Sequence, residues 1–225
     1  MINKIKVLIV DDSAVVRQVL KSLLEAEADI EVVGSAVDPI FAMTRMQRTW
    51  PDVIILDIEM PRMDGLTFLK KIMAERPTPI IMCSTHTEKG AEVTIEAMRL
   101  GAVSFITKPK LNSKEVMQET AADITQLVRA AAKAKLGNIV RREPLVSRPE
   151  SRILTPVASA GVPDIIAIGA STGGTQALEF LLTQLPNNLP GIVIVQHMPE
   201  HFTNLFAKRL DSRSQLTIKE AEHGD

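Results

Sequence analysis

A chain of 225 residues with 45% hydrophobic content is long enough to bury one or two cores, and a formal net charge of -1 supplies no basic field for nucleic acid. Aromatic residues make up 3% of the chain and Tyr is absent, which leaves little to stack on bases and argues against DNA or RNA as a direct ligand. No stretch approaches the roughly 20 apolar residues that span a bilayer, and the amino-terminal apolar run is too short for a secretory signal, so no membrane insertion and a cytoplasmic location are expected.

Apolar runs at 7–10, 32–36, 53–56, 80–83 and 104–107 alternate with helical patterns at 14–26, 39–47, 65–76, 91–100 and 114–135. Continuous apolar strands between amphipathic helices are the mark of a sheet covered on both faces, so the fold class is α/β with a doubly wound parallel sheet. Every strand-to-helix turn then lies on one edge of that sheet. The lone Cys83 falls inside the fourth run, can form no internal disulfide, and reads as a small core residue in a reducing compartment.

Asp11 and Asp12 follow the first run, Asp57 ends the third, Ser84 ends the fourth and Lys108 follows the fifth. All five fall at carboxyl ends of parallel strands, where open α/β sheets bind ligands. Three carboxylates crowded there repel one another unless a cation is present, and a hard divalent ion that keeps several waters suits them, which points to Mg²⁺. One carboxylate can then attack a phosphoryl group while metal and lysine neutralise the equatorial oxygens and a hydroxyl donates a hydrogen bond. Asp57, central in the set, is the expected nucleophile. Taken singly, acidic residues at strand ends also serve as helix caps, and Asp12 or Ser13 is placed to cap the helix beginning near Ala14. The joint pattern favours the pocket.

Between 136 and 163 the periodicity fails, and Pro144, Pro149, Pro156 and Pro163 are spread among Arg, Ser and Glu. This reads as an interdomain linker, and its Arg141, Arg142, Arg148 and Arg152 read as a solvated tether rather than a nucleic-acid patch. The βα alternation resumes at 165–170, 175–185, 192–196, 200–210 and 216–221. The expected organisation is one domain over 1–135, a linker over 136–163 and a second domain beginning at 164. About 60 residues of open parallel sheet expose an edge strand and bury little surface, so the second domain is expected to be incomplete over 164–225.

Ser171 lies in Gly169-Ala170-Ser171-Thr172-Gly173-Gly174, a turn between a strand-like run and a helical one. A serine so placed projects from the carboxyl edge of a sheet, and the first free N–H groups of the helix can stabilise an oxyanion. The next apolar run, 192–195, ends just before Gln196-His197. If the two strands are neighbours, hydroxyl and imidazole meet at one edge as nucleophile and general base. G-x-S-x-G is weak alone and stronger between a strand and a helix. A dinucleotide loop is disfavoured, because Ser171 stands where G-x-G-x-x-G needs glycine and the lysine of G-x-x-x-x-G-K is missing. His197 and His201 flank Glu200, but Pro199 starts the helix between them and breaks the shared face a metal would need. His86 and His223 fall in predicted loops and read as surface residues, and His201 as an exposed helix residue.

Val10-Asp11-Asp12-Ser13, Leu56-Asp57-Ile58-Glu59-Met60-Pro61-Arg62-Met63-Asp64-Gly65 and Thr107-Lys108-Pro109 resemble the receiver domain of bacterial response regulators, over about 4–135. The resemblance implies that Asp57 accepts a phosphoryl group from a histidine kinase. It implies that Asp11, Asp12, Asp57 and the Glu59 carbonyl hold Mg²⁺, and that Ser84 and Lys108 contact the phosphate. Phe105 falls where the family carries a switch aromatic; a plain core role fits it equally.

A receiver followed by a Pro-rich linker, Gly-Ala-Ser171-Thr-Gly-Gly and Gln196-His197-Met198-Pro199 is similar to the chemotaxis response-regulator protein-glutamate methylesterases, over essentially the whole chain. That family implies Ser171 as nucleophile and His197 as base, with no cofactor at that site. Its reaction hydrolyses glutamate methyl esters on methyl-accepting chemoreceptors and deamidates certain glutamines, with the receiver blocking the esterase edge until Asp57 is phosphorylated. The family's third triad member is an Asp in a Gly-Met-Gly-x-Asp-Gly stretch, which does not occur in these residues; neither Asp211 nor Asp225 sits in that context. These 225 residues are therefore expected to lack useful esterase activity, with full activity belonging to a longer protein. The competing expectation is a non-enzymatic binding module controlled by Asp57; no helix-turn-helix follows the linker to support a transcription factor.

Overall fold

Five of the apolar runs form one sheet. The computed structural model describes residues 4–84, 88–108, 114–134, 136, 165–171, 173–198 and 200–225. Strands β1 (Ile5–Val10), β2 (Ile30–Ala36), β3 (Val53–Asp57), β4 (Ile80–Ser84) and β5 (Ser104–Thr107) are all parallel in the order β2-β1-β3-β4-β5. Every residue of β3 and β4 is buried, as Val- and Ile-rich strands covered on both faces must be. Helices α1 (Ala14–Glu25), α2 (Pro39–Met46), α3 (Gly65–Glu75), α4 (Glu88–Arg99) and α5 (Lys114–Ala132) connect or follow them. Helices α1 and α5 pack together on one face, and right-handed crossovers carry α2, α3 and α4 over the other. The chain reverses direction across the sheet between β1 and β3, the switch point where such folds open a ligand crevice.

Helix starts follow capping chemistry. Ser13, the second of the two candidates, caps α1 by accepting the Val16 N–H at 3.4 Å. Asp38 caps α2 more tightly, accepting from the Ile40 and Phe41 N–H groups at 2.9 and 3.0 Å while its carboxylate, fully buried, pairs with Arg62. Arg62 has φ 70 and sets its guanidinium 5.1 Å from the centroid of the Phe41 ring. Asp38→Ala removes a cap and a buried ion-pair partner together. The expected loss is about 2 kcal/mol, read as a lower urea midpoint with unchanged slope; an unchanged midpoint would mean the cap carries no stability.

A second parallel sheet pairs β6 (Ile165–Ala170) with β7 (Gly191–Gln196), and α6 (Gly174–Leu182) and α7 (Glu200–Asp211) accompany it. Its core is small: Leu178, Leu182, Phe206 and Leu210. Along both strands exposed and half-buried residues alternate, with Val193 and Val195 at 54% and 70% exposure, unlike the strands of the first sheet. Two expectations change here. The run at 216–221 forms no strand, because its backbone finds other partners: the Ile218 N–H donates to Asp211 Oδ1 at 2.8 Å. It flanks a cleft of about 940 Å³ beside β7. The helix after Ser171 also ends at Leu182, three residues before the predicted stop.

Helices α6 and α7 pack against α4 of the first sheet. Phe202 on α7 is buried in the first core, its ring centroid 4.5 Å from that of Phe105. The Gln176 carboxamide on α6 donates to the Met98 and Ala102 carbonyls at 2.7 and 3.1 Å, closing the carboxyl end of α4. Apart from Leu136, the predicted linker lies outside the described residues, as do His86, Pro109, Thr172 and Pro199.

Candidate functional site

The switch point gathers the acidic residues. Asp11 follows β1, Asp57 ends β3, and carboxylate oxygens of Asp11, Asp12 and Asp57 all lie within 4.8 Å of one another. Asp11 and Asp57 are buried while Asp12 is exposed, which leaves the cluster one wet side. Lys108 reaches across from the end of β5, with Nζ 2.7 Å from Asp57 Oδ2 and 3.2 Å from Asp11 Oδ2. Its backbone N–H donates to the Ser84 carbonyl at 2.8 Å, so the register of β4 and β5 brings these two residues to the same end of the sheet. Glu59 lies exposed two residues beyond Asp57. Gly65 is required for a steric reason: a Cβ there would overlap the Asp57 carbonyl, because α3 begins against that peptide.

Two supporting residues were given no role by the sequence. The Arg17 guanidinium, on the first turns of α1, donates to the carbonyls of Asp11 and Asp12 at 2.7 and 2.9 Å and holds the acidic pair in place. Its only sequence signal is its position five residues after Asp12. Arg62 does the same for the neighbouring loop through Asp38.

Burial raises the Asp57 pKa to about 6, against the hydrogen bond from Lys108 and with help from the Asp11 charge. Burial also raises Asp11, opposed by Lys108. Burial alone would lower Lys108, but its hydrogen bond to Asp57 and the two carboxylate charges lift it. Asp11 Oδ2 is buried and its one close partner among the described residues is the Lys108 ammonium at 3.2 Å, so the oxygen already sits where positive charge is favoured. The donor set is all oxygen and the ligand atoms are close-set, which fits a hard divalent ion. Because the folded chain holds the Asp57 proton more tightly than the unfolded chain does, the metal-free protein is expected to lose stability as pH rises from about 4 to about 6. Millimolar Mg²⁺ is expected to reverse that loss at pH 7, read by thermal unfolding with and without chelator. Equal midpoints with and without the ion would argue against metal at these residues.

The second candidate site is built on a shared edge. Strands β6 and β7 are neighbours, with Ala170 opposite Gln196, so Ser171 and His197 each lead off the same end. The His197 N–H donates to the Ala170 carbonyl at 2.9 Å, extending the ladder to the base of the serine turn. The Ser171 carbonyl accepts from the Gly174 N–H at 2.7 Å and from the Gln196 carboxamide at 3.0 Å. Ser171 and His197 are both exposed. Gly173 caps α6 with no side-chain hydrogen bond, so no side chain of the cap occupies the first N–H groups of the helix beside Ser171. Helix α7 begins at Glu200, with His197 in the turn before it, so His197 and His201 share no helical face. His223 is exposed, as expected. Asp211 accepts from Ile218, and Asp225 pairs with Lys219, so both carboxylates are engaged with other groups.

The two sites are linked through packing. Met198, the residue after His197, packs against both cores and lines a small gap with Ile95, Met98 and Phe105 of the first sheet's layer. Among the described residues no helix is long and apolar enough to cross a membrane.

Comparison with known proteins places these features in context. The response regulator receiver domain profile matches residues 7–122, and the CheB methylesterase profile matches residues 166–225. A protein-glutamate methylesterase/protein-glutamine glutaminase of Shewanella denitrificans is 55% identical over 97% of this chain and 64% of its own length. A counterpart from Hahella chejuensis is 54% identical over 98% of this chain and 63% of its own length. This chain thus spans slightly under two thirds of these curated relatives. The response regulator domain of Thermotoga maritima CheB superposes with a TM-score of 0.53 at 44% identity, covering 59% of this chain and 99% of that one.

Proposed function

The chain belongs to the response-regulator receiver family, and on that premise we propose that it is part of a phosphorylation-controlled hydrolase acting on glutamate methyl esters, and on certain glutamine amides, of chemoreceptors. Asp57 is the phosphoryl acceptor. Its carboxylate attacks the phosphorus of a phosphohistidine on a histidine kinase, the P–N bond breaks, and the imidazole leaves with a proton. Asp11, Asp12, Asp57 and the Glu59 carbonyl would hold Mg²⁺, which supplies charge neutralisation for the transferring group. Lys108 and Ser84 take the phosphate oxygens. In this proposal the protein works in the cytoplasm.

At the second site Ser171 Oγ attacks the ester carbonyl as an imidazole nitrogen of His197 takes its proton. The tetrahedral oxyanion is met by N–H groups at the start of α6. Its collapse expels methanol, or ammonia from an amide, with the proton returned by His197, and water then frees the glutamate. The observation that carries this reading is the register of β6 and β7, which leads Ser171 and His197 off one edge as successive residues of the ladder. Neither Asp211 nor Asp225 is placed to orient His197 in this reading, since each carboxylate is engaged with another group. The testing experiment is reaction of Ser171 with an activated fluorophosphonate, whose rate exceeds that of a bulk serine only if base and oxyanion donors are in place.

Control runs through the packed face between α4, β5 and the second sheet's helices. Phe105 against Phe202 and Gln176 on the end of α4 tie the phosphoryl-accepting unit to the helices that frame Ser171 and His197. Phosphorylation of Asp57 alters the adjoining Ser84–Lys108 edge, shifts Phe105, and releases that contact.

A further inference from the structure

Gln196 sits between the two loops that carry Ser171 and His197, and its side chain touches both. The single carboxamide nitrogen donates to the Ser171 carbonyl at 3.0 Å and to the His197 carbonyl at 3.1 Å. The other end of the carboxamide is confined: Oε1 is buried and, among the described residues, has no hydrogen-bond partner. It lies against the backbone of Gly174, where an added Cβ would overlap Oε1 and stand 2.7 Å from the Ala170 Cβ. A buried, unpartnered amide oxygen is costly, and so is a glycine inside a helix's first turn. Both costs are met at one place, and what they permit is the same thing: the carboxamide reaching both carbonyls.

We propose that Gln196 is a positioning residue, a cross-strand lock that sets the spacing of the Ser171 and His197 loops and that Gly174 exists to admit. The proposal rests on the reading of Ser171 and His197 as nucleophile and base. Backbone pairing alone fixes one side of each loop: the His197 N–H on Ala170, and the Ser171 carbonyl on the Gly174 N–H. The His197 peptide is held at its carbonyl by Gln196, and the Ser171 peptide gains its second tie from the same nitrogen. Without the carboxamide the His197 peptide loses the tie at its carbonyl and keeps the N–H bond to Ala170, and displacements of about 1 Å at a reacting pair cost on the order of 10²-fold in rate.

The test is a double-mutant cycle on the full 225-residue chain, with Gln196→Ala, Gly174→Ala and both together. Two quantities are read: the rate constant for fluorophosphonate modification of Ser171, and hydrogen exchange of the His197 amide. Gln196→Ala and Gly174→Ala are each expected to slow modification ~10–100-fold and to speed His197 exchange, and the double variant to be no worse than the poorer single one. Gln196→Glu adds a pH readout. Its carboxylate opposes two carbonyl oxygens at neutral pH, whereas its acid form donates to one, so exchange protection is expected to return on acidification. Multiplicative losses in the double variant, or Gln196→Ala with wild-type rate and exchange, overturn the lock. If wild-type Ser171 reacts no faster than a bulk serine, the hydrolase reading fails instead, and the exchange cycle alone still decides whether Gln196 ties the loops.

Discussion

Asp57→Asn is expected to abolish phosphoryl acceptance outright. Incubation with a small acyl-phosphate donor and Mg²⁺ is expected to add the mass of one phosphoryl group to the native chain and none to the variant, because an amide offers neither the charge nor the nucleophilic oxygen. Chelating the metal is expected to have the same effect on the native chain, since the carboxylates of Asp11 and Asp57 then repel the incoming phosphate and Lys108 offsets them only in part. The rate is also expected to fall in acid. Burial lifts Asp57 to about 6 without metal, so protonation removes the nucleophile below that value, and bound Mg²⁺ moves the midpoint lower. If the proposed hydrolase function holds, the variant is expected to lose kinase-dependent stimulation of ester hydrolysis. Equal stimulation of the variant would remove the gating mechanism while leaving the esterase assignment untouched.

His197→Ala is expected to slow fluorophosphonate modification of Ser171 by roughly 10³-fold or more, and Ser171→Ala to abolish it, by the magnitudes seen when a nucleophile or its base is deleted. Peptide mass mapping after labelling separates the outcomes. Label confined to the peptide containing Ser171 and dependent on His197 supports nucleophile and base; label spread over several serines, indifferent to His197, would sink the hydrolase. Methanol release is a harsher assay, because an orienting carboxylate is worth on the order of 10⁴ in kcat and neither Asp211 nor Asp225 is free to act as one. A longer protein carrying that carboxylate is expected to outpace these residues by about that factor.

The first sheet was legible because its physics is local and repetitive. Strands buried on both faces must be continuously apolar, and the runs ending at Val10, Leu56 and Cys83 declare themselves. Ligand-binding residues then follow from position alone, since parallel strands end on one edge. The second sheet was less legible. Its strands are as apolar as the first set, yet Val193 and Val195 are exposed, and the run at 216–221 pairs with no strand. Apolar periodicity reports what a segment is suited to, not which partner covers it. Cap choice between Asp12 and Ser13 was open for a similar reason: both residues suit the role, and the extended backbone at Ser13 with the Val16 N–H on its hydroxyl decides it.

Residue order by itself determined the alternation of strands and helices, the parallel sense of the sheets, and which acidic, hydroxyl and imidazole groups gather at strand ends, because each depends on period and spacing along the chain. Tertiary structure alone decided the rest. The reach of Lys108 to Asp11 and Asp57, the hold of Arg17 on the acidic peptides, and the bridging of Ser171 and His197 by Gln196 are all contacts between separate elements. So is the stack of Phe105 on Phe202, which joins residues 97 positions apart, counted from 105 to 202. Such contacts depend on strand order and helix packing, which no local pattern encodes, and burial there is what moves a carboxylate such as Asp57 toward the pH range where it can respond.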